Sequence, residues 1–173
     1  MFLLFDVGGT KTRVVIADDV GFKSEVMIVP TPMDFTQGLA RIVDIARSLA
    51  ERKKITRVVG GLAGVLDRQH SMLFAGSNIA SWIGQPIQKL LEEALEAPVL
   101  LENDAALAGL GEATSGAGKD YDIVGYMTIS TGVGGARIIH KTVDAHVFGF
   151  EPGYQIVDAD GSLCAWCIRH DLD

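Results

Sequence analysis

A short apolar run, Phe2 to Val7, breaks at Gly8-Gly9-Thr10 and is followed by the β-branched stretch Thr12 to Ala17. Two strand-like segments around a glycine turn predict a β-hairpin. This feature constrains the fold most, because it joins strand to strand. It is neither the G-x-x-x-x-G-K-[ST] phosphate loop nor the dinucleotide fingerprint that opens a helix, and folds built on those are disfavoured. A third strand is expected from Lys23 to Val29, after the turn at Asp18-Asp19-Val20-Gly21, with Pro30 and Pro32 as its stop. The chain therefore opens as three antiparallel strands.

From Asp34 the period changes. Phe35, Leu39, Ile42, Val43, Ala46 and Leu49 recur at helical spacing, Asp34 can cap, and Arg52-Lys53-Lys54 suit the negative end of the helix dipole. A buried strand from Arg57 to Ala63 and a loop-rich stretch to Ser81 follow. A second helix is expected with Pro86 in its first turn and Ile87, Leu90, Leu91, Ala94 and Leu95 on one face. Pro98 to Leu101 reads as a strand ending on Glu102-Asn103-Asp104, and Ala105 to Ala113 as a helix whose small residues permit close packing. Strands and helices alternating after a meander predict a mixed α/β sheet with helices on both faces.

The small-residue loop Ser115-Gly116-Ala117-Gly118 is the expected internal boundary, dividing residues 1–118 from a second lobe that begins at 119. The second lobe also starts with a hairpin, in which Ile123 to Ser130 meets Arg137-Ile138-Ile139 through Thr131-Gly132-Val133-Gly134-Gly135. The two glycine turns suggest a repeat whose second copy, 119–173, is expected to be incomplete.

Composition narrows the partners. The hydrophobic content of 48% supports a packed core, and a net charge of -7 offers no basic footprint for nucleic acid or an anionic membrane. The apolar opening reaches Asp6 too soon for a signal core or a membrane span. Cys164 and Cys167 are the only cysteines, so no disulfide framework is expected and a reducing cytoplasm fits.

Several residues could carry chemistry. Glycine lacks Cβ and permits positive φ, so the backbone N–H groups of two facing turns could approach a polyphosphate closely. Asp6 is placed to hold magnesium through water, and Thr10 and Lys11 to contact phosphate. Equally, Gly8-Gly9 is only a hairpin turn and Asp6 a turn-capping acid. Asp104, where an apolar strand ends, could take a proton from a hydroxyl, and Asn103 could hold neighbouring hydroxyls. The same Asn-Asp pair also suits a helix N-terminus. Gly60-Gly61-Leu62-Ala63-Gly64 and Asn78 could line a sugar site, through close backbone approach and a planar amide.

Taken in order, Asp6-Val7-Gly8-Gly9-Thr10-Lys11-Thr12, Gly61-Leu62-Ala63-Gly64, Glu102-Asn103-Asp104-Ala105-Ala106 and Ser130-Thr131-Gly132-Val133-Gly134-Gly135 resemble the ROK family (repressors, open reading frames and kinases). The resemblance implies an actin-like, ribonuclease H-like ATPase-domain fold. It makes Asp6 to Thr12 the first phosphate motif (Asp6, Gly8, Gly9, Thr10, Lys11) and Thr131 to Gly135 the second (Thr131, Gly132, Gly134). It also implies Asp104 as base, with Asn78, Asn103 and Glu151 as sugar contacts. The activity implied is transfer of the ATP γ-phosphoryl to glucose or a related amino-hexose, with magnesium. Repressor members carry a DNA-binding domain ahead of this point, so the kinase branch is the expectation. A homodimer is expected from the family's habit and from the open sheet edge.

Two departures bear on that expectation. The family's E-x-G-H motif stands here as Glu151-Pro152-Gly153-Tyr154, where Tyr154 can still bond a sugar hydroxyl but does not replace imidazole as a metal ligand. In place of the zinc loop of many relatives, this chain offers Cys164, Cys167 and His170, with Asp171 or Asp173 to complete a set. Two reduced thiols without zinc are the expectation. The family's later, adenosine-contacting elements have no counterpart among these residues, so a non-catalytic sugar-binding or interaction module derived from such a kinase is the alternative reading.

Overall fold

A computed structural model of the chain describes residues 1–67, 69–76, 79–129, 132–144, 150 and 152–154. The opening hairpin forms as its glycine turn predicts, with β1 (Phe2–Val7) antiparallel to β2 (Lys11–Ala17) and Val7 opposite Thr12. β3 (Met27–Pro30) adds to β2 as an edge strand, and β4 (Arg57–Leu62) and β7 (Val99–Asn103) extend the sheet in parallel beyond β1. The order is β3-β2-β1-β4-β7.

Alternation along the strands puts Leu3, Phe5 and Val7, with Val14, Ile16, Val58 and Leu62, on one face. That face packs against α1 (Phe35–Ala50) and α2 (Ile87–Leu95), which contribute Ile42, Val43, Ala46, Ile87 and Leu91. The larger of these, Ile42, Val43, Ile87 and Leu91, each contribute about 1.5–3 kcal/mol when fully buried. Asp34 caps α1 by accepting from the Gln37 N–H at 2.9 Å. The helix stops at Ala50 with Glu51 left-handed, so Arg52-Lys53-Lys54 lie beyond its last turn. Arg47 supplies the cation there and reaches across to the Ala94 carbonyl near the end of α2 at 3.0 Å.

The opposite side carries α3 (Asp104–Ser115), which lies against a second antiparallel sheet of β8 (Ile123–Ile129), β9 (Val133–Ile139) and β10 (Thr142–Val143). Small residues make this contact close, as expected. A side chain at Gly109 would place its Cβ 2.9 Å from Tyr126 Cβ, and Ala106, Ala113, Ala136 and Ile138 form the small core between helix and sheet.

Four expectations change. β3 begins at Met27, not Lys23, because the Ser24 hydroxyl takes the Ile16 N–H at 3.1 Å where a backbone carbonyl would continue the ladder. Pro30 belongs to the strand, opposite Lys11, since an edge position leaves its missing N–H without consequence. The stretch read as loop contains a two-stranded ribbon, β5 (Val65–Leu66) with β6 (Leu73–Ala75). In the second hairpin Ile129 pairs with Val133 and Thr128 with Gly134, so Gly134 and Gly135 are strand residues and the connection is residues 130–132.

Trp82, fully buried, meets Phe35 edge-to-face with ring centroids 5.3 Å apart and lies over Gly38 of α1, where a Cβ would overlap the indole. Overpacking of this kind costs about 1–3 kcal/mol, against about 1 kcal/mol of helix propensity recovered by alanine. Gly38→Ala should therefore lose up to about 2 kcal/mol in urea denaturation; a variant more stable than the parent would show that the indole has room to move.

Candidate active site

The parallel register sets the site. Asp6 of β1 pairs with Gly61 of β4, which pairs with Glu102 of β7, so three consecutive strands present one row near their C-terminal ends. Gly61 has no side chain to fill the middle of that row. A Cβ there would lie 3.6 Å from Asp6 Oδ1, 3.5 Å from Asp104 Cα and 3.3 Å from Leu107 Cδ1. The space it leaves opens into a cavity of about 410 Å³ walled by Asp6, Gly61, Asp104 and, from β8, Tyr126 and Thr128. That volume lies within the range of small-molecule sites.

The two carboxylates differ in environment. Asp6 Oδ2 accepts from Arg13 Nη1 at 2.7 Å, across the antiparallel pair Asp6–Arg13, while Oδ1 faces the space above Gly61. Asp104 opens α3 half-buried, and its carboxyl is raised above the ordinary 3.8. Burial is the largest cause; the Ala105 N–H at 2.8 Å opposes it, and the Asp6 charge reinforces it. A half-buried carboxylate held near a second one, at the mouth of a cavity, is suited to accepting a proton.

Asn103 fills the capping role and bonds the ribbon. Its Oδ1 caps α3 by accepting from the Ala106 N–H at 2.9 Å, and its Nδ2 donates to the Gly64 carbonyl at 2.9 Å, tying together two of the expected sugar-side positions. Gly64 has a φ of 143°, and a Cβ on it would overlap the Ala75 carbonyl, so only glycine suits this crossing of the ribbon.

The first turn is held from beneath by Thr31, a residue that nothing in the local sequence marked beyond its place between two prolines. Thr31 Oγ1 donates to the Gly8 carbonyl at 2.7 Å and lies 3.0 Å from the buried Thr12 hydroxyl, and its N–H donates to the Thr10 carbonyl at 3.0 Å. The Gly8 N–H is spent on the Lys11 carbonyl at 3.0 Å. Among the described residues the Gly9 and Thr10 N–H groups have no protein acceptor, and Thr10 and Lys11 are exposed. Positive φ is not what the turn uses glycine for, since Gly8 lies outside that region. On the other hairpin Gly132 has open space where its Cβ would be, and a Cβ on Gly134 would lie 3.3 Å from both Ala105 Cβ and Thr128 Cγ2, against the cavity wall.

With this arrangement in view, residues 3–170 match the ROK family. The chain belongs to the ROK family. A glucokinase of Streptomyces coelicolor is 33% identical over 161 residues, which are 92% of this chain and 50% of that protein. The crystal structure of a ROK family glucokinase from Streptomyces griseus with glucose and AMPPNP superposes with a TM-score of 0.82 at 31% identity, over 94% of this chain and 53% of that one. The xylose repressor of Bacillus subtilis is 31% identical over 104 residues, 59% of this chain and 27% of the repressor. The chain thus spans about half the length of the curated relatives it matches first, and its fold is the actin-like ATPase domain of the ROK kinases.

Of the expected ROK site residues, the structure gathers Asp6 and Asp104 into one cavity, Gly64 and Asn103 into one hydrogen bond, and Gly8 to Lys11 and Gly132 to Gly134 at the two hairpins. Asn78, Thr131 and Glu151 lie outside the described residues, as do Cys164, Cys167, His170, Asp171, Asp173 and the side chain of Tyr154. The backbone of Pro152–Tyr154 forms a 3-10 turn, and Gly153 lies so close to the Val133 carbonyl of β9 that a Cβ would overlap it. Tyr126 and Thr128 are cavity residues that the sequence reading did not single out. The alternation of β8 is their only sequence signal, placing both on the face toward α3.

The raised carboxyl has a consequence for stability. A folded state that holds a proton on Asp104 more tightly than the unfolded chain loses stability as pH rises from the ordinary carboxylate value through the raised one, and the deficit persists at neutral pH. Asp104→Asn should therefore unfold at a higher temperature than the parent at pH 7. The advantage should shrink as the pH falls through the raised value and be gone below about 4, and calorimetric melts across pH measure it.

Proposed function

We propose that this ROK chain takes part in ATP-dependent phosphorylation of a hexose, glucose or a related amino-sugar, with Asp104 as general base. The observation that carries the reading is the placement of Asp104, half-buried and raised above the ordinary carboxylate range, in one cavity with Asp6 and between two glycine hairpins. The family's kinases and the superposed glucokinase support it.

In this reading the sugar lies on the side of Gly64 and Asn103, and its reacting hydroxyl points at the Asp104 carboxylate. As the hydroxyl oxygen bonds to the γ-phosphorus and the bond to the ADP oxygen breaks, the hydroxyl proton passes to Asp104. A base whose proton affinity is raised toward the working pH accepts that proton more readily. Gly9, Thr10, Lys11, Gly132 and Gly134 stand at the two hairpins for the phosphates, with the Gly9 and Thr10 amides available to donate and Lys11 as the cation. Little covalent work is left to the protein beyond positioning and charge stabilisation.

The residues present fit magnesium. Asp6 Oδ1 is the oxygen not engaged by Arg13, and it faces the open space over Gly61, where water-mediated contact has room. Magnesium held there would supply charge neutralisation on the phosphate oxygens. We assign residues 1–118 to the first lobe of this machinery and 119–173 to the start of the second, with β8 and its hairpin as the part that faces Asp104.

A hexose panel with ATP and magnesium tests the reading. Asp104→Asn should lower kcat by about 10²–10⁴-fold with little change in the KM for sugar. Full turnover by that variant would remove Asp104 as base. Calorimetry separates the alternative, since a non-catalytic module would bind sugar without nucleotide, whereas a kinase binds both, each strengthening the other.

A further inference from the structure

His70 lies outside the cavity and outside every motif above, yet its backbone is left-handed, with a φ of 53°. Such a conformation is costly for a residue with a Cβ and persists only where its surroundings impose it. Here the surroundings are the tip of the β5–β6 ribbon. Asp67 accepts from the Ser71 N–H at 2.6 Å, the Met72 N–H at 3.0 Å and the Ser71 hydroxyl at 3.0 Å, while the His70 N–H donates to the Asp67 carbonyl at 3.0 Å. The loop so locked aims the imidazole at β7, where Nδ1 stands 3.2 Å from the Leu101 carbonyl and 3.4 Å from Glu102 Oε2.

Both partners of Nδ1 are acceptors, so this nitrogen carries hydrogen whether the ring is neutral or charged. The contact is a donor contact first and an ion pair second. Glu102 passes it on, because its other oxygen accepts the Asn103 N–H at 2.8 Å. Asn103 in turn holds the Gly64 carbonyl at the base of the ribbon. Consecutive residues of β7 thus grip the ribbon at both ends, Glu102 at the tip through His70 and Asn103 at the base through Gly64. At the base of the ribbon Gly64 and Gly76 cross at a distance that admits no side chain on Gly64.

We propose that His70 is a positioning residue for the sugar side of the cleft: by clasping the ribbon tip to Glu102 and Leu101, it sets where Gly64 and Asn103 stand relative to each other. The inference rests on the sugar-kinase reading for its substrate, and on the geometry alone for the clasp. Neither His70 nor Glu102 lines the cavity that holds Asp104, so the clasp bears on sugar affinity and leaves phosphoryl transfer and ATP binding alone. The pair is also substantially open to water, with side-chain exposures of 47% for His70 and 24% for Glu102. Exposed pairs contribute little to global stability, which lets a local effect be read without unfolding.

Two substitutions separate the ring's donor from the backbone it sits on. Glycine takes a φ of 53° without strain and removes the donor; asparagine tolerates the same backbone and places an amide N–H near the position of Nδ1. His70→Gly should weaken affinity for the hexose that the wild-type chain binds by roughly 3- to 30-fold, with kcat at saturating sugar and the affinity for ATP unchanged. Amide hydrogen exchange should accelerate in Val65–Leu66 and Leu73–Ala75. His70→Asn should restore both. Unchanged hexose affinity in His70→Gly, or His70→Asn as impaired as His70→Gly, overturns the proposal while the kinase reading stands. A wild-type chain that binds no hexose overturns the kinase reading and the sugar role of His70 together. Exchange in the ribbon that does not respond to His70→Gly overturns the clasp itself.

Discussion

Parallel pairing of β1, β4 and β7 is the constraint on which the site depends. It aligns Asp6 with Gly61 and Gly61 with Glu102, and the next row aligns Val7 with Leu62 and Leu62 with Asn103. Side chains alternate along a strand, so a slip of one residue in β1 would turn Asp6 into the core against α1 and α2 and bring Phe5 or Val7 out to the cavity. The buried set Leu3, Phe5 and Val7 prevents that slip. The position of the acidic residue is therefore enforced by the apolar residues around it, and the core and the site are two readings of one register.

The same geometry explains why the site is not a point of strength. Gly61 leaves a gap where a sheet would ordinarily place packing, and beside it burial, reinforced by the Asp6 charge, raises the proton affinity of Asp104. A fully packed row would be more stable and would have no cavity. Sites that need a perturbed carboxylate commonly accept such a cost. The structure compensates on the opposite face, where Trp82, Phe35, Ile42, Ile87 and Leu91 fill the space between helices and sheet.

Elements that local chemistry specifies were legible in the sequence, and elements that distant contacts specify were not. β1 ends where the apolar run ends, and Asp34 caps α1 as its type predicts, because each is decided within a few residues. Asp6 and Asp104 could be singled out as acids at strand ends, but their meeting in one cavity needed the register of three strands. Thr31 supports a turn some 20 residues earlier in the chain through its hydroxyl, and a threonine between prolines offers no local sign of that. The β5–β6 ribbon was hidden for a related reason. It is two residues against three, too short for a period to be seen, and Asp67 and β7 help to hold it.

The two glycine hairpins look alike in sequence, yet their geometry divides the work between them. The first is a tight loop whose Gly8 amide closes the turn and whose carbonyls are tied to Thr31. It is pre-organised, and it offers few donors in a fixed place. In the second, Gly134 has moved into β9, where the missing side chain lets the strand approach Ala105 at the start of α3. Glycine thus accompanies open backbone donors in one hairpin and permits close approach to the helix that carries Asp104 in the other. In the proposed reaction a phosphate at the first hairpin would be fixed relative to Asp6, and one at the second relative to Asp104. Both distances would have to be right at once, which would make the packing of α3 on β8 and β9 part of the chemistry as well as of the fold.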